Sequence, residues 1–528
     1  MHSDQDVALA VQEPHRTAYL QGSPEGGSPR ISLQPRPHEA GLIGVLPGIA
    51  PSALGDPSMA GVHHTRYPYI CGEMANGIAT VEMVAAIAAH GMLGFFGAAG
   101  LSVEKIEAAV ADLEARCGHS LWGSNLIHSP QAPELEEATV DLYLRRRVRR
   151  VSASAFLALR PSVVRYAFSG VHTEPTGGIV RRNHVFAKIS RPEVARQFLS
   201  PPPEAMLQSL VRNGQLTAEE ASLARHLPVA EDITVEADSA GHTDNRPLTV
   251  LLPAILSLRD ELASRFSYRR PIRIGAAGGL GTPAAVAGAF ALGASYVLTG
   301  SINQCTRESG QGESAKAMLA QAGIADVMMA PAGDMFEMGV KVQVLKRGTL
   351  FGVRAAKLYE LYRLHDSLDR IPAEAVSSLE RDIFRQDLAG IWQQTREYFL
   401  QRKPAEVERA EREPRHRMAL VFRWYLGQSS RWPTQNHAER RVDYQIWCGP
   451  AMGAFNEWVA GSFLENPAQR TVGQIALNLM FGAASITRAQ QLRACGVAVP
   501  APLFHYRPRP LAADEPGFEL ASIPAHAH

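Results

Sequence analysis

The chain is short of cysteine, of long apolar runs and of net charge. Five cysteines occur in 528 residues (Cys71, Cys117, Cys305, Cys448 and Cys495), and none forms a Cys-x-x-Cys pair. An odd, dispersed set excludes a disulfide framework and fits a reducing, cytoplasmic setting. No apolar run is long enough to span a bilayer, so no membrane role is expected. The N-terminus has no basic stretch leading into an apolar core, so no signal peptide is expected. Lys and Arg number 53 against 52 Asp and Glu, for a net charge of +1, and this balance argues against a nucleic-acid partner. There is no internal repeat.

What remains is ordinary globular composition, 46% hydrophobic and 20% charged. The length suggests one large domain with a second, or a barrel with insertions. Residues 1–40 are rich in Pro, Gly, Ser and Gln and read as a mobile leader. From Tyr67 onward, short apolar runs alternate with helical patterns. The predicted strands are Tyr67–Cys71, Met92–Phe96, Leu121–Ile127, Val151–Phe156, His184–Ile189, Ile233–Ala237, Ile272–Ala276 and Tyr296–Thr299. Alternation implies parallel βαβ units. Eight of them imply an α/β fold closed as a TIM (β/α)8 barrel over 41–335, with an open doubly wound sheet as the alternative.

Two regions break the rhythm. Residues 201–228 read as a helical hairpin insertion, with Thr217 and Glu220 spaced for a capping box. After Ala332 the strand signal fades. Residues 336–470 read as a helical substrate-binding cap, 471–497 as a helix returning to the barrel, and 498–528 as a loose tail.

The chemistry concentrates at strand ends. Arg273-Ile274-Gly275-Ala276-Ala277-Gly278-Gly279-Leu280-Gly281-Thr282-Pro283 is an apolar run ending in a glycine turn, with Pro283 placed to open a helix. Tyr296-Val297-Leu298-Thr299-Gly300-Ser301 repeats the design one unit later. Glycines let backbone N–H groups approach an anion, and a helix N-terminus adds positive partial charge. In a barrel the phosphate site follows strands seven and eight. Gly278, Gly279 and Gly281 would serve the first loop, Gly300 and Ser301 the second. No acidic residue stands at the end of a following strand, so a mononucleotide such as FMN fits better than NAD.

Val235-Glu236-Ala237-Asp238-Ser239-Ala240-Gly241-His242-Thr243-Asp244-Asn245-Arg246-Pro247 follows strand six. His242 can donate or relay a proton near neutral pH, with Asp238 and Asp244 able to orient it; a polar capping loop is the plainer reading. Cys71-Gly72-Glu73-Met74-Ala75-Asn76-Gly77 follows strand one, and Asn125 lies in strand three. Met74 and such amides could hold a flat heterocycle. Lys188 and Arg165 are isolated cations in apolar runs, where each could meet a flavin or simply snorkel at the rim. Gly118-His119-Ser120-Leu121-Trp122 falls short of a nucleophile elbow, because its fifth residue is Trp122 and its serine precedes a strand. His63-His64 lacks partners at metal-ligand spacing, so no metal site is expected.

Gly72-Glu73-Met74-Ala75-Asn76-Gly77-Ile78-Ala79, Gly94-Phe95-Phe96-Gly97-Ala98-Ala99-Gly100, Gly241-His242-Thr243-Asp244-Asn245-Arg246-Pro247, Thr299-Gly300-Ser301-Ile302-Asn303-Gln304 and Tyr444-Gln445-Ile446-Trp447-Cys448-Gly449-Pro450-Ala451-Met452-Gly453 together resemble one family. It is the trans-acting, FMN-dependent enoyl reductases of trans-acyltransferase polyketide synthases, with the enoyl-reductase subunits of polyunsaturated fatty acid synthases. More distantly the barrel is similar to nitronate monooxygenases. The resemblance runs from about Tyr67 to Val497. It implies NADPH-driven, FMN-dependent reduction of 2-enoyl thioesters on an acyl carrier protein. It would place the FMN phosphate on Gly279, Gly281, Gly300 and Ser301. The flavin ring and ribityl would lie by Met74, Ala75, Asn125 and Lys188, with His242 as the active-site histidine and Lys188 in support. A homodimer is compatible with the reading. Ala240 departs from the Gly-Gly-His expected in that loop. The basic run Arg145–Arg150 reads first as a solvated helix end, and offers a weak docking surface for an acidic carrier.

Overall fold

The computed structural model describes residues 2–22, 27–34, 41–130, 132–241 and 244–512. Eight parallel strands close into a barrel. They are β1 (Tyr69–Cys71), β2 (Leu93–Phe96), β3 (Trp122–Ile127), β4 (Arg150–Ser154), β5 (His184–Ile189), β6 (Asp232–Glu236), β7 (Arg273–Ala277) and β8 (Val297–Thr299). All eight predicted strands are present, and the open-sheet alternative falls because β8 pairs with β1. Strands covered on both faces read as continuous apolar runs, which is why they were legible. The outer helices are α1 (Val81–Ala89), α2 (Val103–Cys117), α3 (Pro133–Arg145), α4 (Pro161–Phe168), α5 (Pro192–Phe198), α6 (Leu248–Phe266) and α7 (Pro283–Ala291). Proline opens four of these seven, at a position whose N–H would have no helical partner.

Alternate residues of each strand fill the barrel in layers. Along β5, His184, Phe186 and Lys188 share a face, and along β6 Asp232, Thr234 and Glu236 do. The middle layer is aromatic. The Phe186 ring lies 5.2 Å from Phe95 and 5.8 Å from Tyr296, both edge-on. The Tyr296 hydroxyl reaches Thr234 Oγ1 at 2.8 Å. Gly275 makes room for this ring, since a Cβ there would fall 2.1 Å from it. The aromatic layer separates two charged layers, one at each end of the barrel.

The long helix Val472–Ala494 packs against α7, α1 and β1. Its residues are buried almost throughout. The segment expected as a mobile leader is folded where it is described. His2–Gln12 is a helix, and Ala18–Gln21, Arg30–Ser32 and Leu42–Leu46 form an antiparallel sheet. Val7, Ala10, Val11, Leu20 and Ile31 bury against Ala489, Leu492 and Val497. Composition hid this, because the apolar partner lies more than four hundred residues away in sequence. The tail also departs from expectation up to residue 512: Leu511 is buried, and Asn478 Nδ2 donates to the Arg509 carbonyl at 2.9 Å.

The insertion is a hairpin of Glu204–Arg212 and Ala218–Ala224. Its capping box is formed by Thr217 and Glu220, and Glu220 also accepts from Gly170 N at 2.6 Å. The cap is not wholly helical. An antiparallel hairpin of Val327–Pro331 and Lys341–Leu345 precedes the helices Phe351–Leu364, Leu388–Arg402, Pro404–Arg412 and Pro414–Arg431. A strand therefore stands near the start of the region 336–470 expected to be helical. Lys341-Val342-Gln343-Val344-Leu345 alternates polar and apolar residues, which is strand periodicity.

Candidate active site

A cavity of about 710 Å³ opens at the C-terminal ends of the strands. One side is barrel. The other is cap, through residues such as Thr395, Phe399 and Trp424. The structure gathers Met74, Ala75, Asn125, Lys188, Gly278, Gly279, Gly300 and Ser301 around this one space. His242 and Thr243 lie outside the described residues. Gly281 does not line the cavity. A Cβ on it would fall 2.1 Å from the Ala451 carbonyl oxygen, so this glycine lets the glycine turn pack on the helix Ala451–Val459.

Lys188 stands at the end of β5, and its ammonium is held by two carboxylates. Glu236 Oε1 is 3.1 Å away and Glu73 Oε1 is 3.3 Å away. Burial alone would lower the lysine's affinity for its proton. Glu236 and Glu73 outweigh burial and push it up instead. The ammonium is therefore permanently charged at neutral pH. Ser239 Oγ donates to Glu236 at 2.8 Å and accepts from Gly241 N at 3.3 Å. The network thus reaches the residue next to His242. Sequence reasoning found Lys188 and missed Glu73 and Glu236, although both stand in the quoted segments; carboxylates at two other strand ends were the available signal.

The acids expected to orient His242 have partners of their own. Asp244 takes both arms of Arg191, at 2.6 and 2.9 Å. Asp238 accepts from Asn245 Nδ2 at 3.1 Å. Burial pushes the Asp238 carboxyl up, against a hydrogen bond from Gln343. A second acid–histidine pair went unnoticed in the sequence. His128, at the end of β3, lines the cavity with Nδ1 2.9 Å from Glu136 Oε2. Glu136 also accepts from Ser129 N at 3.0 Å and from the Ser162 hydroxyl. Burial would raise the Glu136 carboxyl, but these donors bring it below its usual value.

The two glycine turns meet as expected. Gly278 and Gly279 have φ of +89° and +74°. A Cβ on Gly279 or Gly300 would meet nothing within 4 Å, so both backbones face open space. Among the described residues neither Gly279 N nor Gly300 N has a backbone acceptor. Thr282 caps α7, accepting from Ala285 N at 3.3 Å. Open N–H groups without side chains at a helix start fit the phosphate of a mononucleotide. Asn125 fits the other end. Its amide nitrogen is spent on Ser152 O and Ser154 Oγ, at 3.0 and 2.9 Å, which fixes its orientation.

The segment 444–450 ties cap to cradle. Leu345 N donates to Ile446 O at 2.9 Å, and Cys448 N to Gln343 O at 3.2 Å. Gly449 N then donates to Ser301 Oγ at 3.2 Å.

Other candidates prove structural. Arg165 lies on α4 and pairs with Glu137 and Asp141 of α3, away from any strand end. The basic run sits at the opposite end of the barrel from the cavity. There Arg145 pairs with Glu107, Arg146 with Glu114, and Arg150 is buried against His63, so it does not serve docking at the mouth. His63 does have partners, brought from far along the chain. Its Nε2 is 3.1 Å from Asp232, and ligand atoms of His63, His184 and Asp232 lie within 4.8 Å of one another. Arg150 already engages His63 Nδ1, and Arg273 grips Asp232 with two nitrogens, leaving those two groups committed, while His184 Nδ1 is buried without a hydrogen-bond partner.

A parallel barrel with paired glycine turns after β7 and β8 facing one cavity, roofed by a largely helical cap, defines the class. The sequence model for nitronate monooxygenase matches residues 56–378, and that for the inserted helical domain of [acyl-carrier-protein] S-malonyltransferase matches 365–444. The chain superposes on the crystal structure of the enoyl reductase domain of MlnA, from the macrolactin biosynthesis cluster of Bacillus amyloliquefaciens. The TM-score is 0.79 at 38% identity, covering 84% of this chain and 98% of that one. It is 46% identical over 437 residues to polyketide biosynthesis protein PksE of Bacillus subtilis, covering 83% of this chain and 57% of PksE. It is 43% identical over 447 residues to a polyunsaturated fatty acid synthase protein of Thraustochytrium sp., covering 83% of this chain and 30% of that protein. The chain thus spans about half the length of PksE and less of the Thraustochytrium protein. It belongs to the nitronate monooxygenase family, in the branch that holds these polyketide and polyunsaturated fatty acid synthase proteins.

Proposed function

We propose that the chain is an enoyl reductase of polyketide or polyunsaturated fatty acid biosynthesis, reducing the α,β double bond of a 2-enoyl thioester carried on an acyl carrier protein. The observation that carries this reading is a single cavity with two open glycine turns on its barrel side and a large, mostly helical roof on the other. Similarity to the enoyl reductase domain of MlnA over nearly all of that domain supports it. The cofactors are FMN and NADPH. Bound FMN would supply the redox chemistry, taking a hydride from NADPH and passing it to the β-carbon.

The chain's residues would do the rest. Gly279, Gly300 and Ser301 hold the phosphate, and Gly278 shapes the turn. Met74, Ala75 and Asn125 bound the flavin ring. Lys188, held by Glu73 and Glu236, places an ammonium donor beside it, its charge compensated by those two carboxylates. The thioester oxygen gains negative charge as the β-carbon accepts hydride and needs a donor; the α-carbon needs a proton. His242 is the proposed proton donor. Among the described residues no helix is long and apolar enough to cross a membrane.

The test is an anaerobic stopped-flow trace of the flavin absorbance. NADPH should bleach it, and crotonyl-pantetheine should return the colour rapidly. No bleaching by NADPH, with oxygen uptake on an alkyl nitronate instead, would overturn the proposal in favour of a nitronate oxygenase.

A further inference from the structure

Among the described residues, three lysine or arginine side chains line the cavity: Lys188, Arg423 and Arg431. Two are neutralised. Lys188 is shared by two carboxylates. Arg423 donates to the Gly333 carbonyl at 3.0 Å and to Glu337 at 3.2 Å. Arg431 has no acidic partner among the described residues. It both lines the cavity and is exposed to solvent, which places it at the opening.

Its setting is fixed. Arg431 ends the helix Pro414–Arg431, which carries four arginines and no acid. Arg415 of that helix pairs with Asp366 and lies 4.9 Å over Tyr362, and Arg417 lies 4.7 Å over Trp392. The last turn is fastened to the barrel, because Asn76 Nδ2 donates to Ser430 O at 3.2 Å and to Ser430 Oγ at 3.4 Å. Asn76, Gln428 and Ser430 line the cavity beside Arg431. An arginine here also suits the negative end of the helix dipole. That alone accounts for the residue type. It does not account for a guanidinium left without a counter-charge on the wall of a cavity whose other cations are both compensated.

We propose that Arg431, with the amide of Gln428, forms a second anion site at the cavity opening, distinct from the glycine turns, that takes a phosphate ester on an incoming substrate. This rests on the enoyl reductase reading, in which two phosphate-bearing molecules pass the opening. One is the pantetheine arm, with its phosphodiester; the other is the nicotinamide dinucleotide, with its 2′-phosphate. A guanidinium matches either by paired N–H···O bonds.

The experiment is calorimetric binding to the FMN-loaded protein and to Arg431→Ala, with four probes: 4′-phosphopantetheine, pantetheine, adenosine 2′-phosphate and adenosine. It does not depend on turnover, so it stands even if the enoyl reductase reading fails. The wild-type protein should prefer one phosphorylated probe over its unphosphorylated partner by about tenfold, the low end for a charge-assisted bond at an exposed rim. Arg431→Ala should erase that preference, and Arg431→Lys should restore part of it. Which pair shows the preference names the source of the phosphate. Equal binding of both pairs by the wild type, or a preference that survives Arg431→Ala, overturns the proposal. In turnover, the same site predicts a KM that rises in Arg431→Ala for the phosphorylated substrate alone, with kcat and FMN content unchanged.

Discussion

The two ends of the barrel carry the same kind of chemistry to opposite purposes. At the bottom, His184 begins β5 and Asp232 begins β6. At the top, Lys188 and Glu236 stand four residues further along the same two strands, on the same face. Both layers are buried ionic clusters. The lower one is closed. Asp232 accepts two bonds from Arg273 and one from His63, and Arg150 closes over His63. The upper one opens onto the cavity, with a single ammonium between two carboxylates. Identical strand geometry yields a structural plug at one end and a site at the other. The difference is access: the lower cluster is walled in by protein, although His184 Nδ1 and Arg273 Nη1 have no hydrogen-bond partner, while the upper one faces a cavity. Repetition of charged residues along a strand therefore says little about function; a face onto open space does.

Substitutions at the two ends should have different consequences. Gly300→Trp fills the cradle with a side chain where a Cβ meets open space. It should leave the fold intact and abolish flavin binding, read as the visible flavin absorbance of the purified protein; full flavin occupancy would refute the cradle. His242→Ala should lower turnover by roughly 10²–10⁴ with FMN retained. Near-normal turnover would transfer the proton to solvent or to His128, whose ring Glu136 already holds, and Glu136→Gln would then become the damaging change.

Lys188→Met and Arg273→Met form a matched pair, one at each end. Removing Arg273 leaves Asp232 buried without its main partner, at a cost of about 3–5 kcal/mol. Its signature should be a lower Tm with kcat unchanged in the folded fraction. Lys188→Met should instead depress kcat or flavin affinity more than Tm. Equal losses of stability and of activity in both variants would erase the distinction between plug and site.

The smallest effect is on pH. Burial lowers the proton affinity of His63 and His184, the latter further through His63 itself. The unfolded chain gains these protons below about pH 6.5, and the folded chain only at lower pH. Unfolding thus takes up protons, and stability falls as pH drops from 7, by at most ~1.4 kcal/mol per pH unit for each histidine. Asp232 adds to this lower down. Burial raises its carboxyl, but Arg273 and His63 hold it far below the usual carboxylate range. Its contribution is whole above about pH 4 and is lost as pH falls further. A thermal scan from pH 7 to 4 checks the sum. His184→Phe should flatten the upper part of that profile, and an unchanged slope would mean that His184 titrates normally in the fold.

The barrel was legible because its signal is local. Each strand is a short apolar run, each turn carries glycine or a capping residue, and eight repeats of that unit have few ways to close. The meeting of the two glycine turns was legible for the same reason, since Gly278, Gly279, Gly300 and Ser301 stand at consecutive strand ends. Other features depend on partners distant in sequence. The N-terminal helix is recognisable as structure only with the far face of Val472–Ala494 beside it. Gly281 looks like a cradle glycine until Ala451 is found against it. Glu73 and Glu236 carry no mark of a shared site until the closed barrel sets them on either side of Lys188. Periodicity and turn chemistry reach a few residues along the chain, and they were enough for the barrel, the order of its units and the place of its paired glycine turns. Which charges are spent and which are left for a ligand was decided only by the tertiary fold, because ionic pairing acts through space between strands that closure alone brings together.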